Sequence, residues 1–130
     1  MIRRLLMLLG LASCTPSSGD PRTPQPGDLW SVKTDDGRYG VMKVLATDEG
    51  GVHVRLYSQR FDQRPASVNP SELALAPVGQ GDATPFSIGH MPLSHHSFRG
   101  WEPELMSHGT VSEEELDGYR MWQEARGGYF

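Results

Sequence analysis

Cysteine occurs once in the 130 residues, at Cys14. Any domain downstream of it therefore folds without a disulfide, a thiol nucleophile or a Cys-based metal site. Long apolar runs are also missing. The only apolar stretch of note, Ile2 and Leu5 to Ala12, covers about ten residues, half of the roughly 20 that a membrane-spanning helix needs. Basic residues are outnumbered, 12 Lys and Arg against 16 Asp and Glu, for a net charge of −4 with His neutral. An acidic balance makes a poor nucleic-acid binder, because phosphate contacts need clustered Lys and Arg, so no nucleic-acid partner is expected. No Gly-rich loop opens a helix, no G-x-S-x-G elbow is present, and no two histidines stand at the H-E-x-x-H spacing.

What is there begins with an address. Arg3 and Arg4 give a positive start, the apolar stretch follows, and the small residues Ala12 and Ser13 lead to Cys14. This is the layout of a secretory signal peptide. Leu11-Ala12-Ser13-Cys14 also resembles the bacterial lipoprotein signal: an aliphatic residue, two small residues, then Cys. The resemblance implies that residues 1–13 are removed and that Cys14 becomes the mature N-terminus, carrying a thioether-linked diacylglycerol and usually a third acyl chain. Two or more chains hold a protein on a membrane stably, whereas one does not. Within that family an Asp after the Cys often marks retention in the inner membrane. Thr15 stands there instead, which leans towards the outer membrane. The bland alternative is an ordinary signal followed by a stray Cys14.

Removing residues 1–13 leaves 117, enough for one small domain, with ten basic and 16 acidic residues and a net charge of −6. Residues 14–26 carry the Cys and then a Pro/Ser-rich stretch without an aliphatic side chain, which reads as an extended tether. Residues 27–130 read as a single globular domain. With 15 Gly and 10 Pro in the chain, a turn-rich β fold suits it better than a helical bundle.

Gly27 to Thr34 reads as a strand with Trp30 and Val32 on one face. Asp35-Asp36-Gly37-Arg38 is a hairpin turn. Tyr39 to Thr47 is a second strand, with Met42, Val44 and Ala46 on one face and Val41 and Leu45 on the other. After the turn Asp48-Glu49-Gly50-Gly51, residues 52–57 alternate: Val52, Val54 and Leu56 inward, His53, Arg55 and Tyr57 outward. Asn69 to Leu73 is a turn with a short helical turn, Leu73 to Leu75 a short strand, and Val78 to Pro85 a loop. Phe86 to Leu93 reads as an edge strand, because Pro92 cannot donate to a central ladder. Ser112 and Glu115 make a capping box for a helix over about 113–126. Leu116, Tyr119, Trp122 and Ala125 lie on its apolar face, Gly127-Gly128 stop it, and Tyr129-Phe130 fold back. The fold class is α+β, mainly β: a small SH3-like barrel (about 27–93) or a strongly bent antiparallel sheet, with one C-terminal amphipathic helix. Gly27-Asp28-x-Trp30-x-Val32 and Asp36 to Leu45 resemble the opening hairpin of small SH3-like barrels, including some immunity proteins of polymorphic toxin systems. That resemblance implies a binding module without catalytic residues.

Three constellations are candidates for chemistry. His90, His95, His96 and His108 fall within 19 residues, but adjacent His95 and His96 point apart on a strand. Polar loop histidines are the plainer reading, so no metal and no cofactor are expected. Ser94, Ser97 and Ser107 lie near these histidines without an elbow. Glu113, Glu114 and Glu115 are explained by the helix start, and Asp35 and Asp36 by the turn. Tyr57, Phe61, Phe98 and Trp101 could form an outward groove beside Arg55, Arg60, Arg64 and Arg99. Alternatively, Phe98 and Trp101 close the core under the helix. The expectation is a lipid-anchored, non-enzymatic binding or structural module of the envelope, its partners the membrane and another envelope protein. The alternatives are an immunity-type or toxin-linked protein, or a small metal-dependent hydrolase using His90 to His108.

Overall fold

The computed structural model describes residues 23–76 and 86–130. Cys14, the signal, the first part of the tether and the loop expected over 78–85 lie outside them. Strand β1 (Leu29–Lys33) turns back into β2 (Tyr39–Thr47), with Trp30 opposite Met42 and Val32 opposite Gly40. The turn is held by Asp36, whose carboxylate accepts from the Thr34 hydroxyl at 2.6 Å and the Arg38 backbone N–H at 3.1 Å. Those hydrogen bonds, Thr34's first, keep the Asp36 carboxyl well below its ordinary range. Gly37 takes the left-handed φ of 82° that the turn requires. Strand β3 (Gly51–Leu56) follows, its turn tied by Asp48 Oδ1 accepting from the N–H groups of Gly50 and Gly51 at 2.8 and 3.0 Å.

Strand β4 (Ile88–Ser94) adds to the outer side of β3, and a short β5 (Glu104–Ser107) pairs with β1. The result is one antiparallel sheet in the order β4-β3-β2-β1-β5. Of the two expected forms it is the open sheet; it does not close into a barrel. Closure would need β4 to bond β5. Instead the Phe130 N–H donates to Pro92 O and the Ser94 N–H to Phe130 O, each at 3.0 Å, so the chain's tail occupies that edge.

Register sorts the side chains onto two faces. Trp30, Val32, Met42, Val44, Val52, Val54, Leu56, Met91 and Leu93 form the main core, closed by Phe98. Phe98 comes from α1 (His95–Gly100), capped by Ser94 Oγ accepting from the Ser97 N–H at 3.1 Å. Its ring meets Trp30 edge to face, centroids 5.5 Å apart. On the opposite face Leu29, Val41 and Tyr57 form a second, smaller core with Phe61, Val68, Leu73 and Met106.

That second face corrects the reading of β3. Val52, Val54 and Leu56 do point into the core, but His53 and Tyr57 are not solvent-facing: they are 0% and 7% exposed. A strand's own alternation cannot reveal a layer that arrives later in the chain. Here the segment from Ser58 to Ala76 covers Tyr57, and the C-terminal residues cover His53. Two further elements, α1 and β5, were not expected. The short strand expected over Leu73 to Leu75 is a non-strand stretch, joined to Ser58 by one backbone bond of 2.9 Å. The helical turn near Asn69 is present as Pro70–Glu72.

The C-terminal element starts as its capping box predicts. The Ser112 N–H donates to Glu115 Oε1 at 2.8 Å, and the Glu115 N–H to Ser112 Oγ at 3.3 Å. A 3-10 turn (Glu114–Leu116) leads into α2 (Asp117–Glu124), shorter than expected. Arg126, at φ 53°, reverses the chain, and the Gly127 N–H caps the Trp122 carbonyl at 2.9 Å. Among the described residues no helix is long and apolar enough to cross a membrane.

Candidate functional site

Two places gather chemistry. The first is a polar cluster between the sheet and α2. His53 on β3 is fully buried, with both ring nitrogens engaged. Its Nδ1 lies 3.0 Å from His90 Nε2 on β4, and its Nε2 lies 2.9 Å from Tyr129 Oη and 3.3 Å from Asp48 Oδ2. The Tyr129 hydroxyl in turn donates to the Asp48 carboxylate. With both rings neutral, one proton arrangement satisfies every contact. Tyr129 gives its only proton to Asp48, so His53 must donate from Nε2. Its bare Nδ1 then accepts from His90 Nε2–H. The rings of Tyr119 and Trp122 close over His53, at centroid distances of 4.6 and 4.4 Å. Gly118 permits this approach: a Cβ there would stand 2.7 Å from the His90 Cβ.

Burial dominates the electrostatics. It pushes the His53 imidazole below its ordinary value of 6.5, against the opposing pull of Asp48. Burial, reinforced by His53, lowers His90 to about 4. Burial alone would raise the Asp48 carboxyl, but hydrogen bonds from Tyr129, the Gly51 N–H, His53 and the Gly50 N–H outweigh it and hold the group low. The Tyr129 phenol is raised, first by burial and then by donating to Asp48. This is an internal chain. A fully covered imidazole with both nitrogens occupied has no free position from which to reach a substrate.

The second place is a cleft of about 750 Å³ beside the other face. Trp30, Phe98 and Pro24 and Pro103 supply apolar walls, and His95, Arg99, Asp48 and Glu102 stand around them. Trp30 is 1% exposed, and its indole N–H has no acceptor among the described residues. An unmet buried donor costs about 1–3 kcal/mol. Glu102 is held at φ 52°, an uncommon conformation for a residue with a Cβ. Its N–H donates to Arg99 O at 3.0 Å, and its own carbonyl accepts from Arg64 Nη2 at 2.9 Å.

The expected sites are rearranged. The four histidines proposed as a metal set separate: His90 meets His53, His95 meets the Asp48 carbonyl at 3.1 Å, His108 meets Asp28 at 2.6 Å, and His96 is exposed beside Trp101. Among the described residues no group of three His, Cys, Asp or Glu is arranged to hold a metal ion. The aromatic groove is also not one surface. Tyr57 and Phe61 belong to the second core, Phe98 and Trp101 to the main core on the other side of the sheet. Phe98 and Trp101 do close a core, but not the one under the C-terminal helix.

The arginines beside them are structural ties. Arg60 donates to Tyr57 O at 2.6 Å and to Phe86 O at 2.9 Å. Arg64 binds Ser31 O and Glu102 O and lies over the Tyr39 ring, and Arg55 sits 3.8 Å from Glu115. Of these four arginines, Arg99 is the one exposed at the cleft. Ser94 and Ser97 serve the α1 cap and the tail. Sequence reasoning missed the His53 cluster, although His53 at an otherwise regular strand position and the late Tyr119/Trp122/Tyr129 set were both visible. No protein family, curated protein or solved structure matches the chain.

Proposed function

We propose that this is a lipid-anchored envelope protein whose domain acts as a non-enzymatic binding module, with the Trp30 cleft as its binding surface. The anchor rests on the signal pattern ending at Cys14, and outer-membrane placement rests on Thr15 after it. The observation that carries the binding reading is the cleft itself, about 750 Å³, with Trp30, Phe98, Pro24 and Pro103 as apolar walls and His95, Arg99 and Glu102 around them. A ligand entering there would bury its apolar part against those walls and meet the polar groups around them. The non-enzymatic reading is supported by His53, whose ring is covered and whose two nitrogens are both engaged within the fold.

The test compares the parent with Cys14→Ser and with an Arg99→Glu/Glu102→Arg double variant at the cleft rim. The parent is expected in the membrane fraction and co-purifies an envelope protein. Cys14→Ser leaves the membrane fraction; the rim variant stays in it but loses the partner. A rim variant that retains its partner refutes the cleft assignment. Protection against a co-encoded toxin without an envelope partner would replace the reading with an immunity-type one.

A further inference from the structure

We propose that α2 and the tail 127–130 form an acid-released latch over β3 and β4. Neither apolar core contains a residue of α2, and no residue of α2 is fully buried. The helix could therefore lift away while both cores persist, which is the condition for a local opening below the global one. It is held by a few polar and aromatic contacts, and these converge on His53 and His90.

The groups that face the two rings are Asp48 from the β2–β3 turn, Tyr119 from α2 and Tyr129 from the tail. Beside them, on the same face, Glu115 binds Lys43 at 3.0 Å and lies near Arg55. Among the described residues Asp48 is the one anionic group that touches His53, and it is already engaged by Tyr129. The contact between the rings already holds one proton, on His90 Nε2, so the first added proton charges His90 at Nδ1, under α2 and against the buried His53. A second, on His53 Nδ1, removes the only acceptor from that contact and sets two cations face to face beneath Tyr119 and Trp122. Lifting α2 returns both rings to water and relieves this.

The sign follows from the direction of the shift. His90 takes its proton at about 4 when latched and near its ordinary 6.5 when released. Latch stability is thus full above about 6.5 and is lost as pH falls towards 4. From this ring alone the opening constant at pH 4.5 rises by at most about 70-fold over its value at pH 7.5. His90 is partly reached by water, so a tenfold rise is the expected minimum.

Amide hydrogen exchange on the full chain in detergent, corrected for intrinsic rates, measures this between pH 7.5 and 4.5. Protection over Tyr119–Ala125 and at the Ser94 and Phe130 amides is expected to fall tenfold or more, while β1, β2 and β3 hold theirs. His90→Gln keeps a donor to His53 but accepts no proton, and should flatten the pH dependence of α2. The proposal is overturned if α2 protection does not change with pH, if the whole sheet opens together with it, or if His90→Gln is as acid-sensitive as the parent.

Discussion

Gly118→Ala sets two effects of opposite sign against each other. Replacing a helical glycine by alanine ordinarily stabilises the helix by about 0.5–1 kcal/mol. In this fold the new methyl would stand 2.7 Å from the Cβ and 3.4 Å from the Cγ of His90, well inside ordinary contact. His90 is pinned by its contact with His53, so the helix rather than the ring must move. Overpacking of this kind costs about 1–3 kcal/mol. The net is a loss of about 0.5–2 kcal/mol, a roughly 2- to 30-fold rise in local opening of α2. Hydrogen exchange of the Tyr119–Ala125 amides at pH 7.5, above the range where the histidines titrate, reads it directly. Increased protection of α2 would mean that the helix does not rest on β4 as described, and would refute the packing and the latch together.

Other perturbations test the remaining layers. Phe98→Ala should cost about 3–5 kcal/mol in chemical denaturation, because Phe98 is 3% exposed and closes the main core on Trp30; a loss below 1 kcal/mol would restore it to a surface role. Ser112→Ala removes one half of the capping box and should weaken α2 by about 1 kcal/mol while leaving β1–β3 exchange untouched. Acid titration followed by Trp fluorescence should have two stages. The depressed His90 withdraws stability as pH falls from 6.5 to about 4, and the depressed His53 acts in the same direction. The depressed Asp48 carboxyl withdraws more below its ordinary 3.8. Tyr129→Phe should shrink the second stage, since Tyr129 is the strongest of the hydrogen bonds holding that carboxyl low.

Much of the sheet was legible because its signals are local. Asp36-Gly37 and Asp48 with Gly50-Gly51 each close a turn with their own side chain and backbone, so both hairpins and the core-facing residues of β1 to β3 could be read from alternation. The start of the C-terminal helix was legible for the same reason: Ser112 and Glu115 cap each other within one turn. What could not be read depends on distant partners. His53 looks like a solvent-facing residue from its neighbours. Its burial comes from Tyr129, 76 residues later, and from His90, 37 residues later. The six-residue α1 is too short for periodicity to announce, and its cap, Ser94, read as the end of a strand. The aromatic groove failed because proximity of Tyr57 to Phe61 and of Phe98 to Trp101 says nothing about which side of a sheet each pair occupies.

The central claim, that the cleft-bearing domain is held at a membrane through Cys14, is tested most directly by intact mass spectrometry of the protein extracted from membranes. A chain beginning at Cys14 with a diacylglyceryl thioether is predicted, with a third acyl chain on the amine as the family resemblance implies. A chain that begins elsewhere, or a Cys14 N-terminus without lipid, would contradict it.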